Sequence, residues 1–214
     1  MWVRHIRRVR FGVVAAALVL AALPLSNRAL AYHDVYFGSS YGTTTCNDQP
    51  SSQCVANDAN HFYGFIDLST ARAAATQRAL VNLYGANSDI NVFTSNSSDL
   101  QVYEEYSLVD AFAWTRCAVG ATPGGSDAAH TRWCQPQYIF WQTHPNAANK
   151  VNTTAKYNYI GCHEVGHTVG LRHRSGSPST CMIAATKPPS DPTAIVPSID
   201  YNASADYARI NDHY

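Results

Sequence analysis

Residues 161–174 read GCHEVGHTVGLRHR, a stretch that places three of the chain's nine histidines within eleven positions. On a helix, His163 and His167 stand one turn apart and share a face. Their imidazoles can converge on one ion at zinc–nitrogen distances of about 2.0–2.1 Å. Glu164, beside the first of them, can reach a water at that ion without being a ligand. Gly170 is placed to end the helix in the left-handed conformation, which glycine adopts without steric penalty. The chain then turns back and brings His173 to the same ion. Three neutral imidazoles leave a fourth tetrahedral position open, which separates catalytic from structural zinc. A solvated, histidine-rich helix face would leave the position of the glycine unexplained.

The N-terminus carries a different signal. Arg4, Arg7, Arg8 and Arg10 precede an apolar run over residues 11–25, and Ala29-Leu30-Ala31 supplies a small-x-small cleavage pattern. This predicts a secretory signal over residues 1–31, too short and wrongly flanked for a stable membrane span. Residues around the Arg7-Arg8 pair fit a twin-arginine signal poorly. The mature chain is expected to be one catalytic domain, residues 32–214, with 32–60 a candidate N-terminal extension or short pro-segment. Removing residues 1–31 takes away five arginines and no acidic residue, so the mature chain lies near −5 with histidine neutral. No basic patch remains, which argues against nucleic acid as a partner. A monomer without stable membrane association is expected.

All six cysteines lie beyond residue 31. An even count in an exported chain reads as three disulfides, for which fifteen pairings exist. The nearest-neighbour set, Cys46–Cys54, Cys117–Cys134 and Cys162–Cys181, closes three short loops without crossing. No Cys-x-x-Cys pair supports a cysteine zinc site.

Strand patterns fall at residues 61–66, 90–94, 100–106, 111–118 and 137–142. A helix capped by Ser69 is expected over 71–84, ended by Gly85. Thr153 or Thr154 caps the histidine helix, expected over 155–170, with Ile160, Val165 and Val169 facing a core. Asn202 or Ser204 caps a final helix ending at His213. The region 175–197 carries five prolines and reads as loop. This order predicts an α+β fold.

The pattern His163-Glu164-x-x-His167-x-x-Gly170-x-x-His173 resembles the metzincin metalloproteases, matching their zinc consensus at all five positions. The resemblance implies a twisted mixed sheet with one antiparallel edge strand, a zinc-site helix, a turn carrying a methionine beneath the metal, and a C-terminal helix. Met182, the only methionine besides the initiator, takes the place of that Met-turn residue. A cysteine just before it, paired with one just ahead of the first ligand, would staple turn to helix, which favours Cys162–Cys181. The chain's ending resembles matrixin-type or small bacterial secreted members. Arg174 matches no usual subfamily residue after the third histidine, Ala184 stands where some members carry tyrosine, and no cysteine-switch motif is present.

The resemblance implies a secreted zinc endopeptidase, with Glu164 as general base and acid and a protein or peptide as substrate. Substrate would lie extended along the edge strand near residues 111–118. Two alternatives stay open: a silent zinc-binding recognition protein of the same fold, and an amidase on cell-wall peptides. Phe112 and Trp114 on the edge strand read as core packing rather than subsite lining. His130 and His144 read as loop histidines, not ligands of a second zinc. Asp48, Asp58 and Asp127 lack the spacing of a calcium loop, so Ca2+ is without support. The glycosylation triplets at Asn96, Asn152 and Asn202 carry no weight.

Overall fold

The computed structural model describes residues 54–55, 59–95, 98–117, 132–133, 136–171, 173, 180–202 and 204–213. The expected signal segment, most of residues 32–60, Cys46, Cys134, the side chains of Cys54 and Cys117, His130 and Arg174 lie outside them. So do Asn96 and the three aspartates weighed for calcium.

The elements follow the expected order. Strand β1 (Cys54–Val55) is followed by β2 (Asn60–Ile66) and helix α1 (Thr70–Gln77). The helix continues without a break into a π-wound segment, Arg78–Gly85. Next come β3 (Asn91–Thr94), β4 (Leu100–Glu105), β5 (Ala113–Cys117), β6 (Arg132–Trp133) and β7 (Gln137–Gln142). Three helices complete the chain: the short α2 (Pro145–Ala148), α3 (Thr154–Thr168) and α4 (Ser204–His213). Among the described residues no helix is long and apolar enough to cross a membrane.

The main sheet has the order β3-β2-β4-β7-β5. Its first three pairings are parallel, and β5 alone runs antiparallel, against β7, at the edge. The α+β fold with a mixed sheet and an antiparallel edge strand is therefore observed. Strand alternation sorts the side chains: Tyr63 of β2 and Leu100 and Val102 of β4 are buried in the core with Leu80, Ile160 and Val165. Trp114 of β5 stacks on Phe140 at 5.4 Å, and Phe140 in turn on Tyr103 at 5.5 Å. The guanidinium of Arg116 covers the same ring at 4.5 Å.

Helices α1 and α3 pack against each other so closely that backbones meet. A Cβ on Gly161 would lie 2.7 Å from the Ala75 carbonyl oxygen. Buried Trp141 ties the sheet to α1 by donating from Nε1 to Thr76 Oγ1 at 3.2 Å. Arg72 pairs with Glu104 at 2.6 Å and donates to the Gln142 carbonyl.

Gly85 does not end the first helix, contrary to the sequence reading. Its backbone keeps a negative φ, Gly170 being the described glycine with positive φ, and the helix runs on through Asn87. The Asn87 carboxamide then donates to the Leu83 and Asn82 carbonyls, satisfying the helix end by a side chain rather than by a left-handed residue. Ser69 holds the N-cap position, but its side chain makes no capping bond. Its N–H donates instead to Glu104. Thr153, not Thr154, caps α3, accepting from Lys156 N at 3.4 Å.

Candidate metal centre and cleft

Helix α3 ends in two backbone hydrogen bonds that fix the path to the third histidine. Gly170 N–H donates to the His167 carbonyl at 3.1 Å and Leu171 N–H to the Gly166 carbonyl at 2.9 Å. With Gly170 at φ 92°, this is a Schellman closure, and the buried Leu171 is its apolar anchor. Past that turn His173 comes back to the helix, its ring centroid 4.9 Å from both His163 and His167.

The three imidazoles meet through their ε nitrogens. His163 Nε2 lies 3.0 Å from His173 Nε2 and 3.1 Å from His167 Nε2. Two of the three rings have the other nitrogen tied off: His163 Nδ1 meets the Cys181 carbonyl at 2.6 Å and His167 Nδ1 the Leu171 carbonyl at 2.7 Å. A carbonyl only accepts, so each Nδ1 carries the proton and each Nε2 presents a lone pair. Two lone pairs facing each other at 3.1 Å repel unless a cation lies between them. Nitrogens bound about 2.05 Å from a tetrahedral zinc sit roughly 3.3 Å apart, so the spacing fits that ion. Among the described residues this is the one group of three or more His, Cys, Asp or Glu side chains close enough to hold a metal.

Electrostatics agree with neutral ligands. Burial, then the neighbouring His173, pulls the His163 pKa down to about 3, against the pull of the Cys181 carbonyl. Burial and the other two imidazoles hold His167 well below its ordinary value. Helix α3 thus presents two unprotonated nitrogens before any ion arrives.

The turn beneath the site is built on a covalent link. Cys162 and Cys181 form the expected disulfide, with Cα atoms 5.9 Å apart. It holds the Cys181 carbonyl against the His163 ring. Met182, fully buried, packs under the helix: a Cβ on Gly166 would lie 2.3 Å from its Sδ. Met182 is thus buried directly against the helix that carries His163 and His167. The other two expected disulfides lie outside the described residues.

Several contributors escaped the sequence reading. Thr115, on the edge strand, donates from its hydroxyl to Glu164 Oε2 at 2.8 Å, with the Glu164 carbonyl at 3.0 Å. Tyr84, in the π-wound segment, donates to the Cys162 carbonyl at 2.9 Å and rests 3.8 Å from Met182 Sδ. Burial raises its pKa well above the ordinary phenol value, so it stays a donor. Tyr159 donates to the Ile183 carbonyl and sets its ring 5.6 Å from that of His163. A signal existed for Gly166 and Gly161 alone. Glycine inside a helix costs about 1 kcal/mol relative to alanine, so two in one helix mark close approach.

A cleft of about 290 Å³ opens above the imidazoles. One wall is the approach to the edge strand, residues 110–113, and the other is the segment after the Met-turn, including Ala184, Lys187 and Pro189. Its floor holds His163, Glu164 and Tyr159. Gln142 N–H donates to the Phe112 carbonyl, so Phe112 faces β7 in the ladder. The backbone N–H and C=O of Ala113 and Thr115 therefore point away from β7, and among the described residues no strand pairs with that side of β5. Trp114 is core packing, as read from the sequence, but Phe112 is both buried and part of the cleft lining. His144 takes no part in the cluster: its Nδ1 caps α2 by accepting from Asn146 N. His61, buried on β2, is committed elsewhere through Thr168.

No protein-family model matches the chain, and no curated protein does. Among solved structures, one of myroilysin is 10% identical over 77% of this chain and 96% of that one, with a TM-score of 0.43. The hatching enzyme zinc-protease high choriolytic enzyme 1, from the medaka fish Oryzias latipes, is 12% identical over 75% and 92%, with a TM-score of 0.40. Superpositions this loose carry no argument about activity.

Proposed function

We propose that this protein is a secreted zinc endopeptidase of metzincin type, acting on peptide bonds of protein or peptide substrates. The observation that carries the reading is the meeting of the Nε2 atoms of His163, His167 and His173 at 3.0 and 3.1 Å, those of His163 and His167 presenting lone pairs, beside a buried carboxylate. His163, His167 and His173 would hold one zinc ion. When bound, that ion supplies Lewis-acid polarisation of a carbonyl and acidification of a water.

Glu164 is the proton carrier. It takes a proton from the attacking water as the new carbon–oxygen bond forms, then delivers it to the departing amine nitrogen as the carbon–nitrogen bond breaks. Thr115 positions it, because its hydroxyl donates to Glu164 Oε2 and its strand holds the carboxylate beside the imidazoles. The outward N–H and C=O groups of Ala113 and Thr115 bind an extended peptide by strand addition. Thr115 thus serves both events: its backbone receives the substrate and its side chain aims the base. The Cys162–Cys181 link suits an oxidising compartment and supports export.

The test is digestion of denatured casein by the purified protein, with and without a chelator. Cleavage abolished by chelation and restored by zinc supports the reading. A zinc-loaded protein that binds casein but never cuts it establishes the silent recognition protein instead.

A further inference from the structure

Beyond the cleft lies a second recess, of about 220 Å³, that shares Asp110 and Pro189 with it. Its outer rim is the loop 107–109, and one buried carboxamide shapes that loop. Gln142 Oε1 accepts from Ser107 N–H and His144 N–H, both at 3.0 Å. Its Nε2 donates to the Ser107 carbonyl at 3.1 Å and the Val109 carbonyl at 2.9 Å. Three of the four hydrogen-bonding positions of that side chain are spent on holding the loop, and the fourth on the His144 N–H.

What the loop presents is apolar. Leu108 is 89% exposed and Val109 49% exposed. On a mobile loop such side chains could fold down, but here the pinned backbone keeps them out. The facing wall is equally fixed: Lys150 Nζ donates to the carbonyls of Pro189, at 2.6 Å, and Asp191. Asp110 joins the two walls by accepting from Ser190 N–H at 2.9 Å and from the Ser190 hydroxyl. Among the described residues the one acidic side chain bordering the recess is therefore already engaged, and no lysine or arginine borders it.

We infer that this recess is a second side-chain subsite of the same cleft, receiving an apolar residue of an extended peptide away from the scissile bond. The inference rests on the peptidase reading. Continuity supplies the occupant: the recess and the cleft share Asp110 and Pro189, so an extended peptide lying in the cleft and followed back toward residue 110 reaches the recess. Preformed walls make this binding cheap in ordering entropy, so an apolar contact there is expressed as affinity.

The experiment compares quenched peptides sharing one cleavage sequence, extended by up to four residues at either end, with leucine or aspartate at the added positions. Zinc-loaded protein is expected to cleave one leucine-extended series about tenfold better than the short peptide, chiefly through KM, and to gain nothing from aspartate. Leu108→Asp brings the ratio of long to short kcat/KM down to about one. Because Leu108 lies on the surface, the fold survives the change. In parallel, Glu164→Gln protein is titrated with the same peptides by fluorescence anisotropy. Leu108→Asp is expected to remove the extension's gain in affinity there as well. Equal ratios in both proteins, in cleavage and in binding, overturn the subsite. Binding that depends on Leu108 without cleavage by the wild-type chain upholds the subsite and overturns the peptidase reading.

Discussion

Thr115 and Glu164 sit 49 positions apart in sequence, and the threonine hydroxyl donates to the glutamate Oε2 at 2.8 Å. Both side chains are buried. The contact joins the strand that would receive a substrate to the carboxylate that would move its proton. Replacing Thr115 with valine keeps the shape and removes the donor. A hydrogen bond to a charged group contributes about 1.5–3 kcal/mol, so kcat should fall roughly 10- to 100-fold. KM and zinc content should hold, and Thr115→Ser should restore most of the rate. Steady-state kinetics with metal analysis decides, and an equal loss in the serine variant would mean a packing role only.

Gly170 at φ 92° is the hinge of the site. Gly170→Ala forces a Cβ into left-handed backbone at a cost of about 1–2 kcal/mol. The variant should relieve that strain by moving the turn, so the loss should appear more in zinc affinity than in melting temperature. Competition with a chromophoric chelator measures the first, and a thermal melt of metal-free protein the second.

The disulfide does two jobs. Closing a loop of 19 residues' separation is worth about 3 kcal/mol on the chain-entropy model. It also holds the carbonyl that orients His163, and lost orientation of that kind typically costs 10- to 100-fold in metal affinity. The pair Cys162→Ala with Cys181→Ala should show both deficits. Chemical denaturation and zinc titration read them separately.

Much of this was legible in the sequence because it is local. His163, His167, Gly170 and His173 are set by helix period and one turn, and the strands by alternation. Met182 followed from its distance after His173 within a family pattern. Contacts that cross the fold were not legible. Tyr84 reaches Cys162 and Met182 over 78 and 98 residues, and nothing around it in the chain announces a helix that will be π-wound. Gly85 misled because glycine's usual stop role was filled by the Asn87 side chain. Gly166 was passed over because its neighbour in space, Met182, lies in another element.

That close contact is itself testable. Gly166→Ala puts a Cβ 2.3 Å from Met182 Sδ and 2.5 Å from the Tyr84 hydroxyl. Overpacking of this kind costs about 1–3 kcal/mol. Tyr84→Phe in the same chain should recover part of the loss, seen in a double-mutant comparison of denaturation midpoints.

Acid should destabilise the metal-free protein. His163 titrates at about 3 when folded, below its ordinary 6.5. Between those values the unfolded chain binds a proton that the folded chain does not, so stability falls as pH drops from about 6.5 toward 3. His167 is shifted in the same direction and adds to the effect. Melting temperatures of chelator-stripped protein at pH 7.5 and 5 should show it, and His163→Asn should flatten the dependence.

The most direct test compares wild-type protein with Glu164→Gln at equal zinc content, each assayed on a quenched peptide. One zinc per chain in both, with hydrolysis by the wild type and a loss of at least about a thousandfold in the variant, is the expected result. Hydrolysis by Glu164→Gln at the wild-type rate, or none by a wild-type chain carrying its zinc, would contradict the assignment.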